Sequence, residues 1–337
     1  MRDRACEATI QRSIGVVATT VRERTRPGRR PATARPRPGR ASRRILRPWL
    51  LLAPALLVMG GLLLYPLVRV VLISLQDFGL RQLVSGRTAW VGLDNYTELL
   101  GDEQLWGTAL PNTVVFAVVA VALTVVFGTL VALLLARLHP VLRGVVTTAI
   151  MLAWAIPAVT GTYVWVFMFN PGDGLAVQAL DALGLVDAAT ANPFTDRYSF
   201  YAVATLNVVH HGFPFVALTV LAGLMTVPRE ITEAAIVDGA GAWRRFWSVT
   251  FPMLRPVFAV VTVLSTIWDF KVFTQIYLMP GGDGVTRSVL NLGTWSYVES
   301  FAQNRYGLGA AIAVLLTALL LVITVGYLRL LFREEEL

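Results

Sequence analysis

Side chains able to do chemistry are scarce in this chain, and most of them fall in two short stretches. The first is "TIWDFKVFTQ", residues 266–275, which sets Asp269 and Lys271 beside Trp268 and Gln275 inside an otherwise apolar run. At the centre of a membrane-spanning helix such a charge costs about 2.5–3.5 kcal/mol on insertion scales, so both groups need a wet or protein-lined site. On a straight helix Thr262, Thr266 and Asp269 form one stripe, and Lys271, Thr274 and Gln275 another on nearly the opposite side, because i and i+2 differ by roughly 200°. Either one stripe lines a polar route while the other packs on a neighbour, or the helix is locally unwound. His210 and His211, with Asn207, give another apolar run a polar middle suited to interhelical hydrogen bonding.

The second stretch is "EAAIVDGAGAWRRFWSVTFP", Glu233 to Pro252, a polar island between two greasy segments. Pro228 and the early acids Glu230, Glu233 and Asp238, with Arg244 and Arg245 later, predict helix, and "DGAGA" predicts a glycine bend between two short helices. Trp243, Phe246 and Trp247 then share one face at i, i+3 and i+4 spacing. That face suits the membrane interface, where tryptophan is favoured, while the small residues Ala234, Ala235, Gly239, Ala240 and Gly241 leave backbone open to a partner's cleft.

Several chemistries are excluded by what is missing. Cys6 is the one cysteine, so neither an intrachain disulfide nor a cysteine metal site can form. The histidines are His139, His210 and His211, and the adjacent pair points roughly 100° apart on a helix, so no metal site is expected. Lys271 is the one lysine and does not sit in Gly-x-x-x-x-Gly-Lys-[Ser/Thr], so this polypeptide carries no nucleotide-binding P-loop. The sparse acids and histidines make no convergent catalytic set, so catalytic residues are none.

These residues need elements to position them. The chain is 55% hydrophobic and 15% charged, far from the balance of a soluble domain. Apolar runs long enough for a hydrocarbon core of roughly 30 Å lie at about 49–75, 112–138, 144–170, 200–226, 256–279 and 308–332, which predicts an all-α protein of six transmembrane helices spanning residues 48–332. Residues 1–47 hold 14 arginines against three acids and read as a disordered basic tail that touches anionic lipid; nothing in them favours nucleic acid, and 333–337 form a second tail.

Basic residues in the amino-terminal tail, at Arg137 and Arg143, at Arg229 to Arg255, and at Arg329 and Arg333 fall on one side, while the regions Asp77–Leu110 and Pro171–Ser199 each net −3. The positive-inside rule then puts both termini in the cytoplasm. The connection 227–255 is cytoplasmic too, and far longer than a tight helix hairpin needs.

The second stretch resembles the EAA loop of bacterial ABC import permeases: Glu-Ala-Ala, three residues, Gly, nine residues, then Ile-x-Leu-Pro. Glu233, Ala234, Ala235, Gly239 and Pro252 fall in register, with Val249 for the isoleucine and Phe251 for the leucine. "WVGLDNYTELL", "LAGLMTVPREITEAAIVDGAGAW" and "STIWDFKVFTQIYLMPGGDGVTRS" extend the resemblance over most of 48–332 and make it similar to the first-type permease of the sugar-import branch.

The resemblance implies the type I importer permease architecture in a cell membrane, transport of a sugar or polyol, and no enzymatic activity in this chain. It also implies a second permease subunit, an extracytoplasmic solute-binding protein, and cytosolic ATPase subunits that hold the ATP and Mg. The loop becomes a coupling helix docked on the ATPase through Glu233, Ala234, Ala235, Asp238, Gly239, Trp243 and Phe246. The substrate pathway falls on His211, Trp268, Asp269, Lys271 and Gln275. The alternative is a secondary transporter that couples ions through Asp269 and Lys271. "MPGGDGVTRS", Met279 to Ser288, is expected to be an outer turn or a binding-protein contact.

Overall fold

The structure, a computed structural model, describes residues 51–280 and 286–335, the side chains from 330 onward excepted. The basic tail, the glycine-rich centre of "MPGGDGVTRS" and the last two residues lie outside it. Internal contacts divide the chain into Met1–Met59 and Gly60–Leu337; the described part of the first, residues 51–59, is apolar helix.

Among the described residues, five helices are long and apolar enough to cross a membrane, six if one bent pair counts as a span. The first is α1 (Leu51–Ser74). A two-residue antiparallel ribbon, Gln76–Asp77 with Ala89–Trp90, flanks the short α2 (Leu80–Ser85), and α3 (Asp94–Gly101) follows. Then come α4 (Leu105–Arg137), the pair α5 (Pro140–Trp154) and α6 (Ala158–Met168), the short α7 (Leu175–Ala182) and α8 (Arg197–Leu224).

The second polar stretch folds as α9 (Arg229–Val237) and α10 (242–253). The fifth span is α11 (Arg255–Phe270) and α12 (Thr274–Leu278), and after α13 (Leu292–Tyr297) the chain ends in α14 (Tyr306–Glu335).

Two spans are not the straight helices that the apolar runs suggest. The third, expected as one run over 144–170, bends by 91° between α5 and α6. Pro157 brings no N–H and disfavours helical backbone at Ile156, so the ladder stops there. The fifth span stops at Phe270 and resumes at Thr274, leaving Lys271 to Phe273 unwound.

The centre of the bundle is α4 against α8. A stripe of small residues on α4, Ala120, Thr124, Gly128 and Ala132, is buried and lets the helices approach closely. A Cβ on Gly128 would lie 2.7 Å from the Val216 Cβ, nearer than side chains pack. Gly212 on α8 answers this stripe, with room for a Cβ only at 3.1 Å from Thr124 Cγ2.

Three apolar clusters stack along this pair. One end is built on Leu99, Leu105, Trp295 and Leu308. The middle cluster contains Phe116, Phe200, Val208 and Ile276, and the far end Leu135, Val216, Leu254 and Phe258. Between the middle and far clusters three helices carry polar groups at the same level: Thr124 on α4, His211 on α8, and Asp269 with Lys271 on the fifth span.

Outside the spans, the Asp196 carboxylate caps α8 by accepting from the Tyr198 and Ser199 amides at 2.9 and 3.0 Å. These amides, that of Ser199 foremost, hold its pKa below the usual carboxylate value. At the same end, Arg305 donates to Glu98 and Glu299, which ties α3 to the start of α14; the Glu98 carboxylate pushes the guanidinium pKa further up.

Candidate functional site

The polar level between the two apolar clusters is hollow. A cavity of about 320 Å³ is lined by Trp154 at the bend of the third span, His211 on α8, and Trp268, Asp269, Lys271 and Gln275 around the break in the fifth. All five residues that the sequence marks for a substrate pathway therefore meet in one place, onto which the break in the fifth span opens and which Trp154, the last residue before the break in the third, also lines. Non-helical backbone at membrane depth is tolerated where it lines such a cavity, because its freed polar groups can be met there.

The break explains how residues on opposite helical stripes reach one space. Phe270 ends α11, and the unwound turn redirects Lys271, Thr274 and Gln275 toward the side that Asp269 faces. The expected grouping of Asp269 with Thr262 and Thr266 does not hold. Those threonines line a separate apolar groove against α4 and α14, and Thr266 Oγ1 is satisfied within its helix by Thr262 O at 2.7 Å. Asp269 lies some 60° around the helix from Thr266, far enough to part from the stripe.

Asp269 is 8% exposed, and its Oδ2 has no hydrogen-bond partner. Elsewhere in the bundle the Nδ2 of Asn207 on α8 and the Oγ1 of Thr124 on α4 are likewise buried without partners, though neither residue lines this cavity. Unmet buried polar groups are costly and need an occupant, in ligand or water. Aromatic rings supply the apolar walls: Trp268 sits edge-on to Phe215 at 4.9 Å, and Trp154 lies 6.4 Å from the same ring. The cavity thus offers hydrogen-bonding groups of both signs beside ring faces. Among the described residues no group of three or more His, Cys, Asp or Glu is placed to hold a metal.

The second site is α9 and α10, at the far-cluster end of the bundle. Helix α9 closes on Asp238 with a Schellman motif: the Ala240 amide donates to Ala235 O and the Gly239 amide to Ile236 O, both at 2.9 Å. Gly239 takes φ +76°, which costs a residue with a Cβ about 1–2 kcal/mol. Open space surrounds this glycine, so its conformation rather than close approach within the chain requires it.

Glu233, Ala234, Asp238 and Gly239 are exposed and Ala235 half-buried, alongside the exposed apolar side chains of Ile231, Ile236 and Val237. Among the described residues the ion pairs are confined to Arg305, so Glu233 makes none with a described residue. Trp243 is 76% exposed. Its ring leads inward through Trp247 at 5.7 Å and Phe251 to Phe258, a ladder of edge and tilted contacts.

Phe246 differs from its expected partners on this face. It is half-buried against the far cluster and anchors the loop to the bundle, while Trp243 is presented outward.

Sequence reasoning missed Asn112, Tyr201, Asn291 and Thr294, which form a polar network at the other end of the cavity wall. Asn112, Asn291 and Thr294 are fully buried, and Tyr201 hydrogen-bonds the Val289 carbonyl at 2.9 Å. The one available signal was the break in apolar character around Ser288–Thr294.

Residues 125–334 match the family described as binding-protein-dependent transport system inner membrane component. The chain is 42% identical over 291 residues to the diacetylchitobiose uptake system permease protein DasB of Streptomyces coelicolor, covering 86% of this chain and 88% of the relative. It is 34% identical over 282 residues to the trehalose transport system permease protein SugA of Mycobacterium tuberculosis, covering 84% and 87%. Among solved structures, a chain of a bacterial ABC transporter involved in the import of the acidic polysaccharide alginate superposes with a TM-score of 0.72 at 21% identity, over 87% of this chain and 99% of that one.

Proposed function

This chain belongs to the binding-protein-dependent transport system inner membrane components, and from that premise we propose that it is one permease subunit of an ATP-driven carbohydrate importer. The observation that carries the carbohydrate reading is the cavity at the two broken spans. Its unmet Asp269 Oδ2, with Lys271, His211 and Gln275 beside it, suits the hydroxyls of a sugar, and its Trp154 and Trp268 walls suit the apolar face of a sugar ring. The relatives named for diacetylchitobiose and trehalose transport support the same class.

The remaining parts rest on the chain's family and on its resemblance to the sugar-import permeases. A second permease completes the pathway, an extracytoplasmic binding protein delivers the sugar, and cytosolic ATPase subunits bind ATP and Mg. No cofactor belongs to this chain, it is not an enzyme, and both termini face the cytoplasm. The exposed α9–α10 segment docks on an ATPase with Glu233 as its charged anchor. Because α10 is tied through Phe246 and Phe251 to the far cluster, a push on α9 reaches Leu254 and the start of α11, and so the helix that ends at the cavity.

Reconstitution tests this. The chain, a second permease and an ATPase in proteoliposomes are expected to take up labelled diacetylchitobiose or trehalose only with ATP on the ATPase side and binding protein on the other. Uptake by this chain alone, driven by a proton or sodium gradient, would instead make Asp269 and Lys271 ion-coupling residues of a secondary transporter.

A further inference from the structure

Residues 288–292, which lead into the first residue of α13, form a segment held by side chains from different spans. Asn112 on α4 donates from Nδ2 to the carbonyls of Ser288 at 3.0 Å and Leu290 at 2.8 Å, and Arg197 Nε fixes that amide by donating to Asn112 Oδ1 at 2.7 Å. Tyr201 on α8 donates to the intervening carbonyl of Val289 at 2.9 Å. The Leu292 amide donates to Thr113 Oγ1 at 2.9 Å. The segment is thereby fixed against the second and fourth spans at their outer ends.

One side chain carries this fixity into the cavity wall. Asn291, 1% exposed, donates from Nδ2 to the carbonyl of Val272 at 2.8 Å, in the middle of the unwound turn of the fifth span. Its Oδ1 accepts from the Thr294 amide and hydroxyl, both at 2.8 Å, and the Thr294 hydroxyl accepts from the Asn291 amide at 3.0 Å. Those bonds cap α13 and fix which end of the amide faces Val272. Val272 and its neighbours Lys271 and Phe273 all line the cavity.

We infer that Asn291 is a positioning residue for the cargo cavity: bound to the rack formed by Asn112, Thr113 and Tyr201, it holds the Lys271–Phe273 turn in the unwound form that brings Asp269, Lys271 and Gln275 together. The inference rests on the reading of the cavity as the cargo site, but its physical core, control of the turn, is separately measurable. An amide bond to a backbone carbonyl in a break fixes that carbonyl's direction, and with it the side chains on either side. Without the bond the turn samples other conformations, and the cavity binds in proportion to the fraction still correctly formed.

Asn291→Ser separates this role from capping, because serine caps a helix about as well as asparagine but is too short to reach Val272. In the purified importer, comprising this chain, second permease and ATPase, hydrogen exchange at the amides of 271–274 is expected to accelerate about tenfold while that of 292–297 stays unchanged. With diacetylchitobiose as the probe, the half-saturation concentration rises about tenfold with the maximal rate kept. Thr294→Val, which removes the capping hydroxyl but keeps the residue-294 backbone amide that donates to Asn291 Oδ1 and so holds Nδ2 toward Val272, gives the reverse pattern, faster exchange in α13 and an unchanged turn. Asn291→Asp, which caps equally and lacks the amide donor, is read in the same way as the serine variant should that one fail to accumulate.

Equal acceleration at both segments, or unchanged exchange at 271–274, overturns the assignment and leaves Asn291 a helix cap. If exchange responds as expected while neither Asn291→Ser nor Asp269→Asn alters uptake, the cargo reading of the cavity fails and the control of the turn stands.

Discussion

Glu233→Ala is expected to lower ATP-driven uptake by tenfold or more while the chain reaches the membrane at its normal level. The side chain is exposed and makes no ion pair among the described residues, so its loss changes folding stability by no more than about 0.5 kcal/mol. At a docked interface the balance is different. A carboxylate enclosed against a partner's cation loses about 2–5 kcal/mol on truncation, much of it from leaving that cation buried and unpaired. Since 1.4 kcal/mol is a factor of ten, assembly with the ATPase falls by more than an order of magnitude. Co-purification of the ATPase with the variant, beside uptake in the same vesicles, measures both effects. Normal co-purification with normal uptake would remove Glu233 from the docking surface.

The second large effect is expected at Asp269. Asp269→Asn keeps the size of the side chain and removes the charge, so assembly with the ATPase should survive. The carboxylate is buried, and one of its oxygens is unpartnered toward a cavity of about 320 Å³. A hydrogen bond from a sugar hydroxyl to such a buried carboxyl oxygen contributes about 0.5–1.5 kcal/mol when the group is neutral and about 1.5–3 kcal/mol when it is charged. Asn keeps one neutral acceptor oxygen, so the exchange raises the half-saturation concentration for uptake by up to roughly tenfold. If the variant instead fails to assemble and its uptake, where measurable, keeps the normal half-saturation, Asp269 is a charge satisfied within the bundle and does not touch cargo.

Much of this arrangement was legible in the residues, for identifiable reasons. The apolar runs have the length that a bilayer demands, and the glycine bend of the loop follows from "DGAGA", whose first glycine adopts the left-handed conformation that a helix C-terminus uses. The cavity residues stood out because ionisable groups inside an apolar run have few stable placements. Pro157 carried the signal for the bend of the third span, although the length of the surrounding apolar run masked it.

Other features depend on tertiary packing. Nothing in "WDFKVF" breaks a helix by propensity, so the unwinding at Lys271 is imposed by the surroundings, among them the bond from Asn291 twenty residues on in "SVLNLGT". Helical spacing placed Phe246 with Trp243, but burial set them apart, because Phe246 meets Leu254 and Phe258 of the far cluster and Trp243 meets solvent. Spacing likewise grouped Asp269 with Thr266, and the neighbours each one meets separated them.

In the proposed mechanism, force from ATP hydrolysis on another chain enters through α9 and α10. A photoreactive amino acid at Trp243, the outward end of the aromatic ladder, tests it most directly in cells that express the whole importer. A single light-dependent adduct with the ATPase subunit is expected, retained by the otherwise unchanged chain and weakened by Glu233→Ala. An adduct with lipid alone, or one with the ATPase that is indifferent to Glu233, would contradict it.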